Sequence, residues 1–127
     1  MSDISLQYKS HAMIDSLRLG ECTIHRAGNS NGSKWWNLWM CVARDSDKQE
    51  DYFCVPVNPN YDLVPNGPGG RHWGLKKTGA GIWTVTPSVN VLSNNHVYPG
   101  PHPNRITSLW HHTPDIVFVP DGESWQS

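Results

Sequence analysis

The proline positions constrain the fold of this chain more than any other feature. All ten prolines lie at residue 56 or beyond, and the widest gap between them after that point, residues 69–86, contains five glycines. An interior proline costs a helix about 3 kcal/mol, and a glycine about 1 kcal/mol relative to alanine. We therefore predict a mostly β fold with at most one short helix before residue 54. Residues 11–19 are the best candidate for it, and the alternative is that the same stretch forms a strand.

Short β-prone runs alternate with turn-forming residues along the chain. Residues 34–43 and 51–57 are joined by a polar segment, and residues 72–77 and 82–86 are joined by Thr-Gly-Ala-Gly, so each pair is typical of a hairpin. This spacing predicts a single compact domain over residues 1–127. The strands should be mainly antiparallel and form a sandwich or a partly open barrel.

The first hairpin has one apolar face, which we predict to be buried. It comprises Trp36, Leu38, Met40, Phe53, Val55 and Val57. Residues 58–70 and 93–104 are rich in Asn, Gly and Pro and are predicted to be loops. The Thr-Pro-Asp sequence at 113–115 is predicted to be a turn.

Charge and hydropathy exclude several classes of protein. The net charge is -1, so the chain lacks the basic balance of a dedicated duplex-DNA binder. No apolar run approaches the roughly 18–20 residues that span a bilayer, and the first residues do not resemble a signal peptide. We therefore expect a cytoplasmic protein of a bacterial or phage-infected cell, with no membrane partner and no duplex nucleic acid.

Seven tryptophans in 127 residues form the most unusual feature of the composition. Tryptophan supplies a large apolar surface and one N–H donor, so it serves both cores and binding faces. A chain with two phenylalanines and many glycines can use tryptophan to fill its core. Alternatively, the tryptophans form a stacking platform for a partner, and the candidates for such a surface are Trp35, Trp39, Trp73 and Trp110.

Three cysteines, Cys22, Cys41 and Cys54, form an odd set without an export signal, which argues against a disulfide framework. If the turn of the first hairpin is centred between residues 47 and 48, Cys41 and Cys54 are direct cross-strand partners. Two thiolates at that separation can share a zinc ion, with His72 and His111 as the remaining ligands. The alternative is that both cysteines are ordinary packed thiols.

The densest polar cluster is His-His-Thr-Pro-Asp at residues 111–115. One histidine could act as a metal ligand or base, oriented by Asp115. With Cys54 and His72 this cluster would form a metal-dependent hydrolase site. Half-exposed histidines beside a turn are the alternative, and the sequence contains no H-E-x-x-H, G-x-S-x-G or P-loop motif.

The second half of the chain resembles an uncharacterised family of short phage and bacterial proteins. The matching pieces lie within residues 50–125 and include Phe53-Cys54-Val55-Pro56, Pro87-Ser88-Val89, Trp110-His111-His112 and the final aliphatic strand with Trp125. The cysteine-rich segment of that family implies a bound zinc ion. Ser108 stands here where the family has a cysteine.

Taken together, these patterns favour a binding protein over an enzyme. We predict a small accessory protein, cytoplasmic or phage-encoded, that presents a tryptophan-rich surface to a partner, most simply another protein. A metal-dependent hydrolase with a Cys/His zinc site and a structural component of a virion are the alternatives.

Overall fold

Strands dominate the computed structural model, which describes residues 3–28, 34–59, 64–67, 70–94, 96–100 and 107–119. Helix in these residues is limited to a 3-10 turn at Ile14–Ser16, so the prediction of a mostly β domain with at most one short helix before residue 54 is confirmed. The strands are β1 (Ile4–Tyr8), β2 (Glu21–Gly28), β3 (Lys34–Ala43), β4 (Glu50–Pro59), β5 (Val64–Gly67), β6 (Gly70–Gly79), β7 (Ile82–Thr86), β8 (Val89–Leu92), β9 (Val97–Pro99), β10 (Ser108–His112) and β11 (Pro114–Val117).

Seven of the described strands close into a barrel. Their order is β4-β3-β2-β1-β11-β7-β6, and β6 pairs back with β4 through Val57 and Trp73. Strand β1 runs parallel to both β2 and β11, and β4 runs parallel to β6, whereas the other barrel pairs are antiparallel. Closure removes the open edges that a partly open barrel would leave.

A three-stranded sheet in the order β10-β8-β9 packs against the barrel. Val89, Val91 and Trp110 of this sheet belong to the same hydrophobic cluster as the barrel interior. Strand β10 crosses the barrel end where β3 ends and β1 begins. There the N–H of Asp45 donates to the carbonyl of Leu109 at 2.7 Å.

The barrel interior is filled by the alternating inward positions of its strands. The predicted hairpin face is confirmed, since Leu38, Met40, Phe53, Val55 and Val57 are buried in one cluster and Trp36 packs against it partly buried. Trp73, Trp83 and Trp110 are also buried in this cluster. Tryptophan side chains therefore fill much of the core volume in a chain that has few phenylalanines and leucines.

Three strands include residues that the sequence predicted to be loop or turn. The predicted loops 58–70 and 93–104 contain β5 and β9, and each of these pairs with a single neighbour. The prolines in these segments predict loops. Edge strands tolerate proline, however, so β5 and β9 form despite it. The predicted turn at 113–115 instead begins β11, with Pro114 as first residue opposite Ile4, a position at which proline removes no ladder bond.

The segment between β1 and β2 lies against the outer surface of the barrel. The carbonyl of Ala12 hydrogen bonds Nε2 of His25 at 2.9 Å, and the Tyr52 hydroxyl donates to the carbonyl of Leu17 at 3.2 Å. The Leu17 side chain is buried. These bonds to the barrel replace those of a longer helix, so the predicted helix over residues 11–19 is reduced to the 3-10 turn.

Candidate functional site

The pairing of the two candidate zinc cysteines differs from the prediction. Cys41 lies opposite Tyr52, and Cys54 lies opposite Trp39. The two cysteines share the outer face of the hairpin but are offset diagonally, where separations are about 7–8 Å rather than about 5 Å. The prediction of direct cross-strand partners is therefore wrong, because the turn is centred one residue earlier than predicted.

The environment of the cysteines favours the neutral thiol. Burial raises the pKa of the Cys54 thiol to about 11. Burial, followed by the carboxylates of Glu50, Glu21 and Asp51, also raises the pKa of Cys41. Both side chains therefore remain protonated at neutral pH in this arrangement.

The predicted histidine ligands are not gathered around the cysteines. Nε2 of His111 lies 2.8 Å from Oγ of Ser88, and the side chain of His72 lies outside the described residues. Asp115 of the hydrolase hypothesis accepts a hydrogen bond from Thr84 at 2.6 Å. Within the described parts of the chain, no three His, Cys, Asp or Glu side chains form a group that could hold a metal ion. Zinc binding stays a prediction.

The prediction of an exposed tryptophan surface is wrong for two of its four residues. Trp73 and Trp110 are each 1% exposed, so neither presents a ring face to solvent. The indole N–H of Trp73 donates to the carbonyl of Ser88 at 3.2 Å. Trp39 lies partly exposed on the outer face of β3, and the side chain of Trp35 is outside the described part. Trp110 is nevertheless one of the residues that line a cavity at one end of the barrel.

The cavity lies at the barrel end that β10 crosses, and we call it the Trp110 pocket. Its volume is about 300 Å³. Its apolar wall is formed by Ile4, Leu6, Leu19, Val42, Ala43 and Trp110, and Asp45, Lys48 and His112 stand among its polar lining. Leu19 is 53% exposed, so the pocket opens beside an apolar rim.

A hydrogen-bonded turn between β3 and β4 positions Lys48 beside the pocket. The guanidinium of Arg44 bridges Asp47 and the side-chain oxygen of Gln49, and the Lys48 N–H donates to the Arg44 carbonyl at 2.9 Å. Lys48 has a φ of 59°, a left-handed conformation uncommon for a residue with a side chain. Among the described residues its ammonium group has no hydrogen-bond or ion-pair partner.

Two carboxylates hold the ring of His112 beside the pocket. Its Nδ1 lies 3.0 Å from Oδ2 of Asp3, and its Nε2 lies 2.8 Å from Oδ1 of Asp45. The ring centroid is 4.7 Å from that of Trp110. Asp3 also accepts the N–H of Thr113 at 2.7 Å. The cluster therefore ties the chain start, the β3–β4 turn and β10 together.

The positive charge of His112 and the negative charges of Asp3 and Asp45 stabilise one another. Burial by itself lowers the pKa of His112, but the hydrogen bonds and charges of Asp45 and Asp3 outweigh it, so the pKa is raised. Burial by itself raises the pKa of Asp3, but hydrogen bonds from Thr113 and His112 outweigh it, so the pKa is lowered. A ring with both nitrogens engaged donates twice and serves as an imidazolium rather than as a free base.

Stability should depend on pH through this cluster. The raised pKa of His112 adds stability that is complete below about pH 6.5 and is lost as pH rises through the folded-state value. The lowered pKa of Asp3 adds stability that is present above about pH 3.9 and is lost as pH falls through its folded-state value. We expect the contribution of the cluster to be greatest between about pH 4 and 6.5.

Urea midpoints measured across pH for the native protein and His112→Gln test this expectation. The difference between the two proteins should shrink as pH rises above about 6.5, because His112 then loses its charge. The other histidines titrate in both proteins, so their effects cancel. A difference that is constant from pH 5 to pH 9 contradicts the assigned charge of His112.

Sequence reasoning found part of this site and missed the rest. The sequence pointed to the histidine pair, but it predicted His111 as a metal ligand. The structure instead places His112 between two carboxylates. Asp45 and Lys48 lie in the polar segment that joins the strands of the first hairpin, and nothing in the sequence indicates that Asp3 and Ile4 approach them. The adjacency of Asp3 to His112 follows from the parallel pairing of β1 with β11, for which the local sequence carries no signal.

Comparisons of this chain with protein-family models, with curated proteins and with solved structures found no match. The resemblance to the phage and bacterial family stays a prediction. No helix in the described ranges is long and apolar enough to cross a membrane.

Proposed function

We propose that this chain is a small non-catalytic accessory protein that binds a partner protein by taking one of its apolar side chains into the Trp110 pocket. The observation that carries the proposal is the pocket itself, an open cavity with an apolar wall beside Lys48 and His112. Apolar concave sites with a few polar groups at the rim are the usual form of a binding site.

The size of the pocket supports a side chain as the occupant. About 300 Å³ is at the lower limit of the cavities that bury drug-sized ligands. A leucine or phenylalanine side chain suits that volume better than a large cofactor. The exposed Leu19 at the rim extends the apolar contact beyond the cavity.

The polar groups support binding rather than catalysis. A general base needs a ring nitrogen that can take a proton, and both nitrogens of His112 already contact carboxylates. The cysteines have raised pKa values, which makes them poor nucleophiles.

The state of the cysteines supports a reducing compartment. Cys22, Cys41 and Cys54 are all free thiols. Disulfides are rare in the cytoplasm, where thiols are kept reduced. We propose that the protein acts in the cytoplasm of a bacterial or phage-infected cell, a location with which three free thiols are compatible.

A titration with a minimal side-chain probe tests the proposal. N-acetyl-leucinamide added to the isotope-labelled protein should shift the amide resonances of Gly20 and Ala43 and the indole resonance of Trp110, with a Kd of about 1 mM. N-acetyl-serinamide should cause no saturable shift, because its hydroxyl gains nothing from an apolar wall.

A matched pair of variants locates the binding. Ile4→Trp places extra volume in the pocket and should abolish the leucinamide shifts, whereas Ile82→Trp, at the start of β7, should leave them unchanged. Saturable shifts that persist in Ile4→Trp, or that map away from the pocket, overturn the proposal.

A further inference from the structure

A phenylalanine projects from the barrel wall just beyond the end of β11. Phe118 is 73% exposed, although the residues on both sides of it are held by the barrel. Val117 pairs with Ile82 of β7. The N–H of Val119 donates to the Gly81 carbonyl at 3.0 Å. The folded chain therefore fixes the backbone on either side of Phe118 and leaves its side chain in water.

The backbone of Phe118 has an unusual conformation for a bulky residue. Its φ is 65°, in the left-handed region that glycine and asparagine adopt most readily. Strain of this kind is concentrated at sites of function. An exposed phenyl ring also adds little burial energy to the fold of its own chain. Both features indicate that Phe118 contacts another molecule.

The Trp110 pocket is a complementary cavity for this side chain. Its volume of about 300 Å³ suits a phenylalanine, and its apolar wall combines aliphatic side chains with Trp110. The exposed Leu19 at the rim extends the apolar contact around an inserted ring. Burial of the Phe118 ring there removes from water both the ring and the wall of the pocket.

The pocket and Phe118 lie too far apart to meet within one chain. The pocket lies where β1 begins at Ile4, and Phe118 follows the end of β11. Since these strands are parallel and Ile4 lies opposite Pro114, Phe118 is four residues, about 13 Å, further along them. A phenylalanine side chain does not span that distance, so its site is on another molecule.

The charges around the two features favour contact between copies of the chain. The carboxylates at the pocket end are Asp3, Asp45, Asp47, Glu50 and Asp51, and the cations there are Arg44, Lys48 and His112. Lys9 and Lys77 lie near the ends of β1 and β6, toward Phe118. Lys9 also pairs with Glu21 at 3.5 Å and keeps 42% of its side chain exposed. The acidic end of one barrel therefore complements the lysine-bearing wall of another.

We propose that the Trp110 pocket of one copy takes the Phe118 side chain of a second copy of this chain. This deepens the proposed function and rests on it, because it names the partner. Only one side chain enters the pocket. The bonds of Gly20 to its neighbours, and those of His112 to Asp3 and Asp45, therefore stay in place.

Sedimentation equilibrium of the native chain tests the contact. Phe118 is larger than the leucine probe and is already held by the folded chain, so we expect a Kd of about 0.1 mM, tenfold below that of N-acetyl-leucinamide. The weight-average mass should rise from that of one chain at about 10 μM to at least about 1.5 times that mass at about 1 mM.

Phe118→Asn should remain a single chain across this range. Asparagine removes the ring and suits the left-handed backbone, so the variant should fold. Met13→Asn is the matched control, since Met13 is 71% exposed at a different place and its loss should leave the association unchanged. Equal association of Phe118→Asn and the native chain overturns the inference.

A mixture of two variants tests both sides of the contact together. Ile4→Trp fills the pocket and keeps Phe118, whereas Phe118→Asn keeps an open pocket. Each should be a single chain alone, and their mixture should associate to no more than two chains. Association that persists in Ile4→Trp alone, or a mixture that does not associate, overturns the inference.

Competition on the native protein decides the question if Ile4→Trp does not fold. N-acetyl-leucinamide at about 10 mM, tenfold its expected Kd, should weaken the association about tenfold. N-acetyl-serinamide at the same concentration should leave it unchanged. Equal effects of the two probes overturn the inference.

The outcomes separate this inference from the proposed function. If leucinamide binds in the pocket but the native chain keeps the mass of one chain at about 1 mM, self-association is overturned and the proposed function stands. If leucinamide does not bind and the native chain does not associate, both are overturned.

Discussion

Replacing Trp110 with alanine is expected to lower the free energy of unfolding by about 3–5 kcal/mol. The side chain is 1% exposed and joins β10 to the barrel interior. Its removal extends the Trp110 pocket into the core and takes away the ring that lies beside His112. Denaturant unfolding followed by far-ultraviolet circular dichroism measures the loss.

Trp39→Ala is the matched control for this variant. Trp39 lies partly exposed on the outer face of β3, opposite Thr23 and Cys54. The same deletion there should cost clearly less, about 1–2 kcal/mol, because the side chain leaves no enclosed cavity. Equal losses for the two variants would contradict the assignment of Trp110 to the core.

Phe53→Ala should cost a similar amount, about 3–5 kcal/mol, for a separate reason. Phe53 lies opposite Met40 in the interior of the barrel and is 7% exposed. The neighbouring Tyr52 is 42% exposed on the other face of β4. Tyr52→Ala should cost about 1 kcal/mol, mainly the hydrogen bond to the Leu17 carbonyl.

These two variants also test the face assignment of the hairpin. The same denaturant measurement applies to both. A loss below about 1 kcal/mol for Phe53→Ala, or a larger loss for Tyr52→Ala, would show that the inward and outward faces of β4 are exchanged.

The hydrophobic pattern predicted the faces of the first hairpin but not its register. Moving the pairing by two residues keeps every side chain on the same face, so alternation cannot distinguish the predicted pairing of Cys41 with Cys54 from the observed pairing with Tyr52. The turn decides between them. In the folded turn Arg44, Asp47 and Gln49 hydrogen bond one another, and the hydrophobic pattern carries no sign of these bonds.

Proline and glycine spacing predicted the β character of the chain and the near-absence of helix. It did not predict closure, because the pairings that close the barrel are parallel and distant in sequence. Val57 meets Trp73 across β4 and β6, and Ile4 meets Pro114 across β1 and β11. Each pairing follows from the packing of the whole barrel rather than from a local signal.

The candidate site was hidden from the sequence for the same reason. Its residues come from the chain start, the end of β3, the β3–β4 turn and β10, so no motif contains them together. The seven tryptophans alone could not distinguish a core role from a binding surface. Most of the described ones fill the core, and Trp110 alone among them lines the pocket.

Intermolecular nuclear Overhauser effects between N-acetyl-leucinamide and the protein test the central claim most directly. We predict contacts from the leucine methyl protons to the Trp110 indole and to the methyl groups of Ile4 and Val42, which line the pocket. Contacts to another surface, or none at a probe concentration well above about 1 mM, would contradict the claim that the Trp110 pocket is the binding site.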